Sequence, residues 1–418
     1  MFEQISRCSI CGNAELVPIL DLGTQALTGV FPRSREQPVG RGPLELVKCQ
    51  GSRTASCCGL VQLRHAYSSS DLYGHNYGYR SSLNPFMVAH LGRTAAMLAS
   101  SVTLGQDNLV VDIGSNDGTL LSLYPPVGAT LLGIDPTAKK FRSFYRPDIH
   151  VMEDFFSADA VLDSFRGKRA RIVTSIAMFY DLRDPLTFMS EVNRILDDEG
   201  LWHFEQSYLP LMLSANAYDT VCHEHLQYYA LRQIKWMTDR SGFKIVDLAT
   251  NAVNGGSFAV TVARQESKRV EVTDKIDRML EEEDRAGIDR LETYARFRQQ
   301  VEKHRSGLRA LFGDWATSGK RAVGYGASTK GNVILQYCAL STDQLPVIGD
   351  VNPDKFGSFT PGTLIPIVSE ADAMRLEPDV LVVFPWHFRE FIIRKEASFI
   401  AAGGALLFPL PSIELIGS

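Results

Sequence analysis

A dense collection of titratable and aromatic side chains lies in Tyr218-Asp219-Thr220-Val221-Cys222-His223-Glu224-His225-Leu226-Gln227-Tyr228-Tyr229. A histidine titrates near neutral pH, and a neighbouring carboxylate can fix its tautomer, which together make a proton-abstracting base. His223 and His225 are two residues apart, so in an extended segment they share one face and Glu224 takes the other. This spacing differs from the i, i+4 histidine pair that holds a catalytic metal on a helix. The same side chains would serve equally to hydrogen-bond an inserted loop into place, and residue type alone does not separate the two readings.

A different chemistry is written at the N-terminus. Cys8-x2-Cys11 forms a knuckle, and Cys49 and the pair Cys57-Cys58 follow some way on. Two such pairs of thiolates suit one tetrahedral zinc ion, and four protein ligands leave no open position for catalysis. The segment between them is short and rich in Gly and Pro, so a structural ion would staple it. Either Cys57 or Cys58 completes the set. Cys58 is preferred, because it directly precedes Gly59-Leu60, a turn into the strand Leu60-Val61-Gln62-Leu63. Cys222 and Cys338 read as packing residues.

Two glycine turns complete the inventory. In the first, the apolar strand Val110-Val111-Asp112-Ile113 runs into Gly114-Ser115-Asn116-Asp117-Gly118, with a helix opening at Thr119 and a second strand, Leu131-Leu132-Gly133-Ile134, ending in Asp135. A nucleoside binds at such a switch point, where the acid can accept both ribose hydroxyls. The glycine spacing is not that of a dinucleotide site. It favours a ligand with a charged tail and no pyrophosphate, such as S-adenosylmethionine (SAM). In the second, Ala322-Val323-Gly324-Tyr325-Gly326-Ala327-Ser328-Thr329-Lys330-Gly331 is again strand, turn and helix start, whose amides suit a phosphate. It lacks the spacing of a phosphate-loop NTPase.

The elements that must position these groups follow from pattern. The chain has 418 residues, enough for two or three cores, with 45% hydrophobic and 22% charged residues and a formal net charge of −5. That acidic balance argues against a nucleic-acid partner. No apolar run has spanning length and no signal segment is visible, so no membrane role and a cytoplasmic location are expected, where seven cysteines would stay reduced. Strand and helix patterns alternate from about 109 to 262, which is a doubly wound α/β domain. Asp197-Asp198-Glu199-Gly200 reads as the stop of the helix before it. A charged helix or pair of helices fills 268–315, and its run Glu281-Glu282-Glu283-Asp284 reads as a solvated face. The expected domains are 1–66 (zinc), 67–266 (SAM), 267–317 (helical linker) and 318–418 (a smaller Rossmann-like unit).

Several motifs in one order resemble a known family. They are the Cys8/Cys11/Cys49/Cys58 module, Tyr77-Gly78-Tyr79-Arg80-Ser81, the Asp112-Ile113-Gly114 turn, and His223-Glu224-His225. Asn254-Gly255-Gly256-Ser257, Gly326-Ala327-Ser328-Thr329-Lys330-Gly331, and Asn352-Pro353 leading to Pro361-Gly362-Thr363 complete the set. Nearly the whole chain resembles the SAM-dependent C-methyltransferases of nucleotide-activated deoxysugars, which have a zinc-binding N-terminal domain, a class I methyltransferase core and a C-terminal Rossmann-like domain. The resemblance implies that His225 is the base, helped by Glu224, with Tyr77 or Tyr79 near the sugar of a nucleoside-diphosphate 4-keto-deoxysugar. Cys222 stands where some relatives carry a tyrosine. On this reading Asp112, Gly114, Asn116 and Gly118 lie near the methionine part of SAM, Asp135 at its ribose, and Glu153, Asp154 and Phe155 at its adenine. On the sugar side, Ser328, Thr329 and Lys330 would hold the diphosphate. Asp350, Asn352 and Lys355 would meet the nucleoside, and Trp386 and His387 would close the cleft. His223, Asn254, Gly255 and Asn332 would line it. Methyl transfer to oxygen or nitrogen of another small molecule is the competing chemistry.

Overall fold

The computed structural model describes residues 2–51, 57–67, 72, 79–126 and 128–417. The strongest pattern in the sequence, apolar strands alternating with amphipathic helices, builds the central sheet of seven strands. Their spatial order is Phe243–Asn251, Ser257–Arg264, Leu196–Ser207, Ala170–Ile176, Leu109–Ile113, Thr130–Ile134, Ile149–Met152. Numbered along the chain, that is 6-7-5-4-1-2-3. Ser257–Arg264 runs antiparallel to both of its neighbours, and the other pairings in the sheet are parallel. The chain order reverses beside Leu109–Ile113, so the C-terminal ends of this strand and its neighbours form the ligand crevice. Asn84 and Asp184 cap the helices Pro85–Ser101 and Pro185–Ile195 through their side chains, each with Pro at the first position.

The N-terminal strands Leu16–Ala26, Arg41–Cys49 and Val61–Leu63 form a second sheet, and its fourth strand comes from elsewhere. Gln227–Tyr228, two residues beyond His225, pairs with Val61–Leu63. A third sheet, of order 3-2-1-4-5-6 along the chain, is the C-terminal unit, with Ala322–Tyr325 at its centre and a reversed last strand.

Two expectations are corrected. Asp197–Gly200 does not end a helix. The helix stops at Ile195, and these residues lie inside the strand Leu196–Ser207, at a register shift that absorbs them. The acid run is not wholly solvated. Between the helices Thr273–Ala286 and Leu291–Ser318, joined at the left-handed Gly287, Glu283 is fully buried. It accepts from Tyr208 Oη at 2.8 Å and from the Leu231 amide, so it ties this helix to the central domain. Among the described residues no helix is long and apolar enough to cross a membrane.

Candidate functional site

At the first glycine turn, Gly114 (φ 78°) follows the strand, and its amide donates to Ile134 O at 2.8 Å, which sets the turn beside the second strand. A Cβ there would lie 2.9 Å from Met178 Cγ, so this position admits only glycine without movement. Gly118 (φ 74°) has a second reason to be glycine, because the ring of Tyr145 fills its Cβ position at 2.6 Å. Tyr145 Oη donates to Asn116 O at 2.8 Å and bonds Ser115 Oγ at 2.8 Å, bracing the turn from below. Asp135 Oδ2 accepts the Asn116 amide at 2.9 Å, and Oδ1 accepts the amide and hydroxyl of Thr137 at 2.6 Å each. Asn116 also carries the segment before the long helix, donating to Tyr79 O and accepting from the Ser81 amide. Asp112 is buried and accepts from Thr174 Oγ1 at 2.6 Å, and its burial raises the carboxyl to about 7. Glu153, Asp154 and Phe155 are exposed just past the third strand, Phe155 by 55%.

The histidine pair is split by its surroundings. His223 is fully buried. Its Nδ1 faces the amide and hydroxyl of Thr28, its Nε2 faces Gly42 O at 3.3 Å, and Tyr67 meets its ring edge-on. Both nitrogens are engaged by the N-terminal domain, so the expected substrate contact is corrected to a structural one. His225 has the opposite arrangement. Its Nδ1 donates to Thr220 O at 2.9 Å, and its Nε2 meets no hydrogen-bonding partner among the described residues. Burial first, then the nearby Lys330 charge, lower it to about 3, so the ring is neutral at pH 7 with a free lone pair on Nε2. Tyr180 packs against it with centroids 4.3 Å apart. Glu224 is buried with Oε1 unpartnered, and desolvation raises it to about 7. Its carboxyl rests on the backbone of Gly29, where any Cβ would overlap Oε1.

The C-terminal unit closes over this loop. Trp386 Nε1 donates to Asp219 Oδ2 at 2.8 Å, and the indole occupies the space a Cβ on Gly255 would need. Lys330 Nζ donates to Asn254 O at 2.8 Å, where Asn254 is left-handed (φ 54°). Asn332 Nδ2 donates to Thr28 O at 2.7 Å, leaving its buried Oδ1 unpartnered, as is His387 Nδ1. Ser328 caps the helix Thr329–Tyr337 by accepting the Gly331 amide. Asp350 repeats the role of Asp135, with Oδ2 accepting the Ala327 amide and Oδ1 the Asn352 amide, while Lys355 Nζ donates to Ala327 O at 2.7 Å. These three therefore brace the turn itself. Tyr79 is 48% exposed at the crevice, and Tyr77 lies outside the described residues.

The sulfurs of Cys8, Cys11, Cys49 and Cys58 all lie within 4.8 Å of one another, with the pairs Cys8–Cys58 and Cys11–Cys49 at 3.4 and 3.5 Å. Four sulfurs at about 2.3 Å from a tetrahedral ion would stand about 3.8 Å apart, so the set fits zinc. Cys58 is the fourth member. Cys57 lies outside the set, against Cys49.

Three family models match the chain in order: "Putative zinc binding domain" over 8–73, "Methyltransferase domain" over 91–248 and "C-methyltransferase C-terminal domain" over 252–411. A curated relative, C-methyltransferase NovU of Streptomyces niveus, is 29% identical over 99% of this chain and 97% of its own length. The chain is a SAM-dependent methyltransferase, similar along its whole length to a C-methyltransferase.

Two solved structures align with less than half of the chain. A chain in a complex of the Haloferax volcanii Trm112 methyltransferase activator with a methyltransferase is 15% identical, covering 43% of this chain and 92% of that one at a TM-score of 0.35. A methyltransferase from Bacillus halodurans is 13% identical, covering 42% and 100% at 0.32.

As a SAM-dependent methyltransferase it needs room for SAM and for the zinc of its first domain, and its residues fit both. The acid Asp135 and glycine Gly114 stand side by side at the switch point, and Asp112 is a buried carboxyl that a sulfonium or ammonium would ionise. Sequence reasoning missed Thr28, Gly29, Met178, Tyr180 and Asp219. The first four carry no motif. Asp219 was visible within the reactive stretch, but nothing in the sequence set it apart from its neighbours.

Proposed function

We propose that this C-methyltransferase acts on a 4-keto-deoxysugar carried by a nucleoside diphosphate, methylating the carbon beside the ketone, at C3. The observation that supports this most is His225, a neutral imidazole held by Thr220 O with Nε2 open. Such a ring takes a proton from carbon once the substrate places that C–H within hydrogen-bond reach. Glu224, the preceding residue, is desolvated against Gly29 and is an acid that can hold a proton near pH 7. SAM, when bound, supplies an electrophilic methyl group on sulfur. Asp135, which braces its turn and keeps further lone pairs, is assigned to the ribose, Asp112 to the charged methionine end, and Phe155 to one face of the adenine. Ser328, Thr329 and the helix they begin are assigned to the diphosphate, on the turn that Asp350, Asn352 and Lys355 brace. Tyr79 and the unpartnered Asn332 Oδ1 are assigned to the sugar, and Trp386 and His387 to the wall that excludes water.

The test is mass spectrometry of the protein with SAM and a panel of nucleotide-linked 4-keto-deoxysugars in heavy water. A gain of one methyl group on one sugar, with deuterium entering beside the ketone of recovered substrate, is expected. Methylation at oxygen or nitrogen without carbon exchange would overturn the reading. His225→Ala is expected to abolish methyl transfer and exchange while leaving SAM affinity nearly intact, and most of the turnover surviving in that variant would remove His225 as the base.

A further inference from the structure

A neutral histidine cannot by itself make a carbon acid ionise fast, because the negative charge arises on the ketone oxygen, and a donor must meet it there. Backbone donors near the Asn254 turn are limited, since the Gly256 amide is already bonded to Val253 O at 3.0 Å. A buried cation on this wall is Lys330. As the second residue of the helix Thr329–Tyr337, it could point toward the crevice mouth and a diphosphate. It turns inward instead and gives one of its three N–H groups to Asn254 O, across the domain boundary.

A chain of contacts links it to the base. Thr220 O holds His225, and the preceding residue, Asp219, is 1% exposed with Oδ1 unpartnered and Oδ2 bound to Trp386 Nε1. Trp386 lies on Gly255, and the adjacent Asn254 carbonyl receives Lys330. One short stretch thus fixes both the histidine and a buried carboxylate; burial lowers Lys330 and the Asp219 charge opposes that shift, while burial first and the Lys330 charge second lower His225 and His387.

We propose that Lys330 donates to the ketone oxygen and stabilises the enolate, and that Asp219 is the positioning residue that keeps Lys330 charged and in place. The proposal rests on the carbon-acid reading above. In the step, the C–H bond beside the ketone breaks and its proton passes to His225 Nε2. The bond's electron pair becomes the new carbon–carbon double bond, and the carbonyl π pair moves onto oxygen, where a Lys330 N–H meets it.

The test follows deuterium exchange without SAM, with the same panel of sugars, in wild type and in Lys330→Met, Lys330→Arg and Asp219→Asn. Absence of exchange in the wild type would overturn the carbon-acid reading and this proposal with it. With exchange in the wild type, Lys330→Met is expected to slow it about 100-fold or more. Zinc content and the affinities for SAM and for free thymidine diphosphate should stay within about 2-fold. Exchange within about 3-fold of wild type would overturn the proposal, and so would a large loss of thymidine diphosphate affinity alone, which would return Lys330 to the phosphate. Lys330→Arg keeps the cation and is read where the methionine variant does not fold. It should recover part of the rate and remove the basic limb of the pH profile. The charged or titratable groups around Lys330 are Asp219, Cys222 and His225 from one loop and His387 from the other domain. Asp219→Asn can still accept from Trp386 but carries no charge, so the basic limb should move to lower pH. An unmoved limb would remove Asp219 from the mechanism.

Discussion

Gly29 shows how one residue without a side chain can govern a buried carboxylate. The Glu224 carboxyl occupies the space beside its Cα, so Gly29→Ala must displace that carboxyl, which on the proposed mechanism stands in the site. Displacements of about 1 Å cost on the order of 100-fold in rate. Turnover is therefore expected to fall about 10- to 100-fold with SAM affinity unchanged, and unchanged turnover would show that the carboxyl tolerates the shift. Asp112 gives a pH prediction of definite sign. Burial raises it to about 7, so near pH 6 the free protein holds a proton there. A cationic methionine end favours the ionised form, so SAM should bind more tightly as pH rises through 7, with proton release on binding. Calorimetry in buffers of different ionisation enthalpy measures that release, and Asp112→Asn should abolish it. At this scale the sequence disclosed residue types but not their roles. His223 and His225 look equivalent in a string, yet opposite tautomers are set by Thr28, Gly42 and Thr220, two of them far away in the chain.

Elements decide how the base is held. The strand Gln227–Tyr228 completes the zinc-domain sheet, and Leu63 N donates to Leu226 O at 2.9 Å, directly after His225. Ser9, inside the Cys8–Cys11 knuckle, donates its amide to Gln62 Oε1 and its hydroxyl to Gln227 Oε1, both at 3.1 Å. The cysteine module therefore supports the loop that carries His225 through backbone and amide bonds. Cys58→Ser is expected to lose the ion and, because structural zinc contributes much of such a module's folding free energy, to unfold the N-terminal sheet and lower turnover more than SAM affinity. Cys57→Ser should keep one zinc per chain. Metal analysis of both variants decides the ligand set, and zinc loss in the Cys57 variant would exchange the two. The cysteine knuckle and glycine turns were legible because thiolate spacing and positive φ leave sharp traces. A two-residue strand has no periodicity to read, and Asp197–Gly200 imitates a helix stop while a register shift lets it stay in a strand.

Across the whole molecule, the site belongs to no single domain. Thr28–Gly29, the loop 218–225 and the segments around Lys330 and Trp386 converge from three folding units, and bonds such as Ala26 N to Gln336 Oε1 at 2.7 Å span most of the chain. A single sequence shows each unit's internal order, because periodicity is local, but not which loops meet, because those contacts obey no spacing rule. The architecture separates two functions that can be measured apart. On the proposed assignment the SAM-binding residues stand in the central sheet, whereas the chamber around His225 needs the C-terminal unit seated on it. Trp386 makes that seat, stacking on Gly255 and satisfying one oxygen of the buried Asp219. Trp386→Phe keeps an aromatic bulk but removes the indole N–H, leaving both Asp219 oxygens unpartnered at a cost of about 1–3 kcal/mol. SAM affinity should stay within about 2-fold, while kcat falls about 10-fold or more and KM for the sugar rises. Equal losses in SAM binding and turnover would mean instead that the domains act as one unit and that the cleft is not the place where catalysis is assembled.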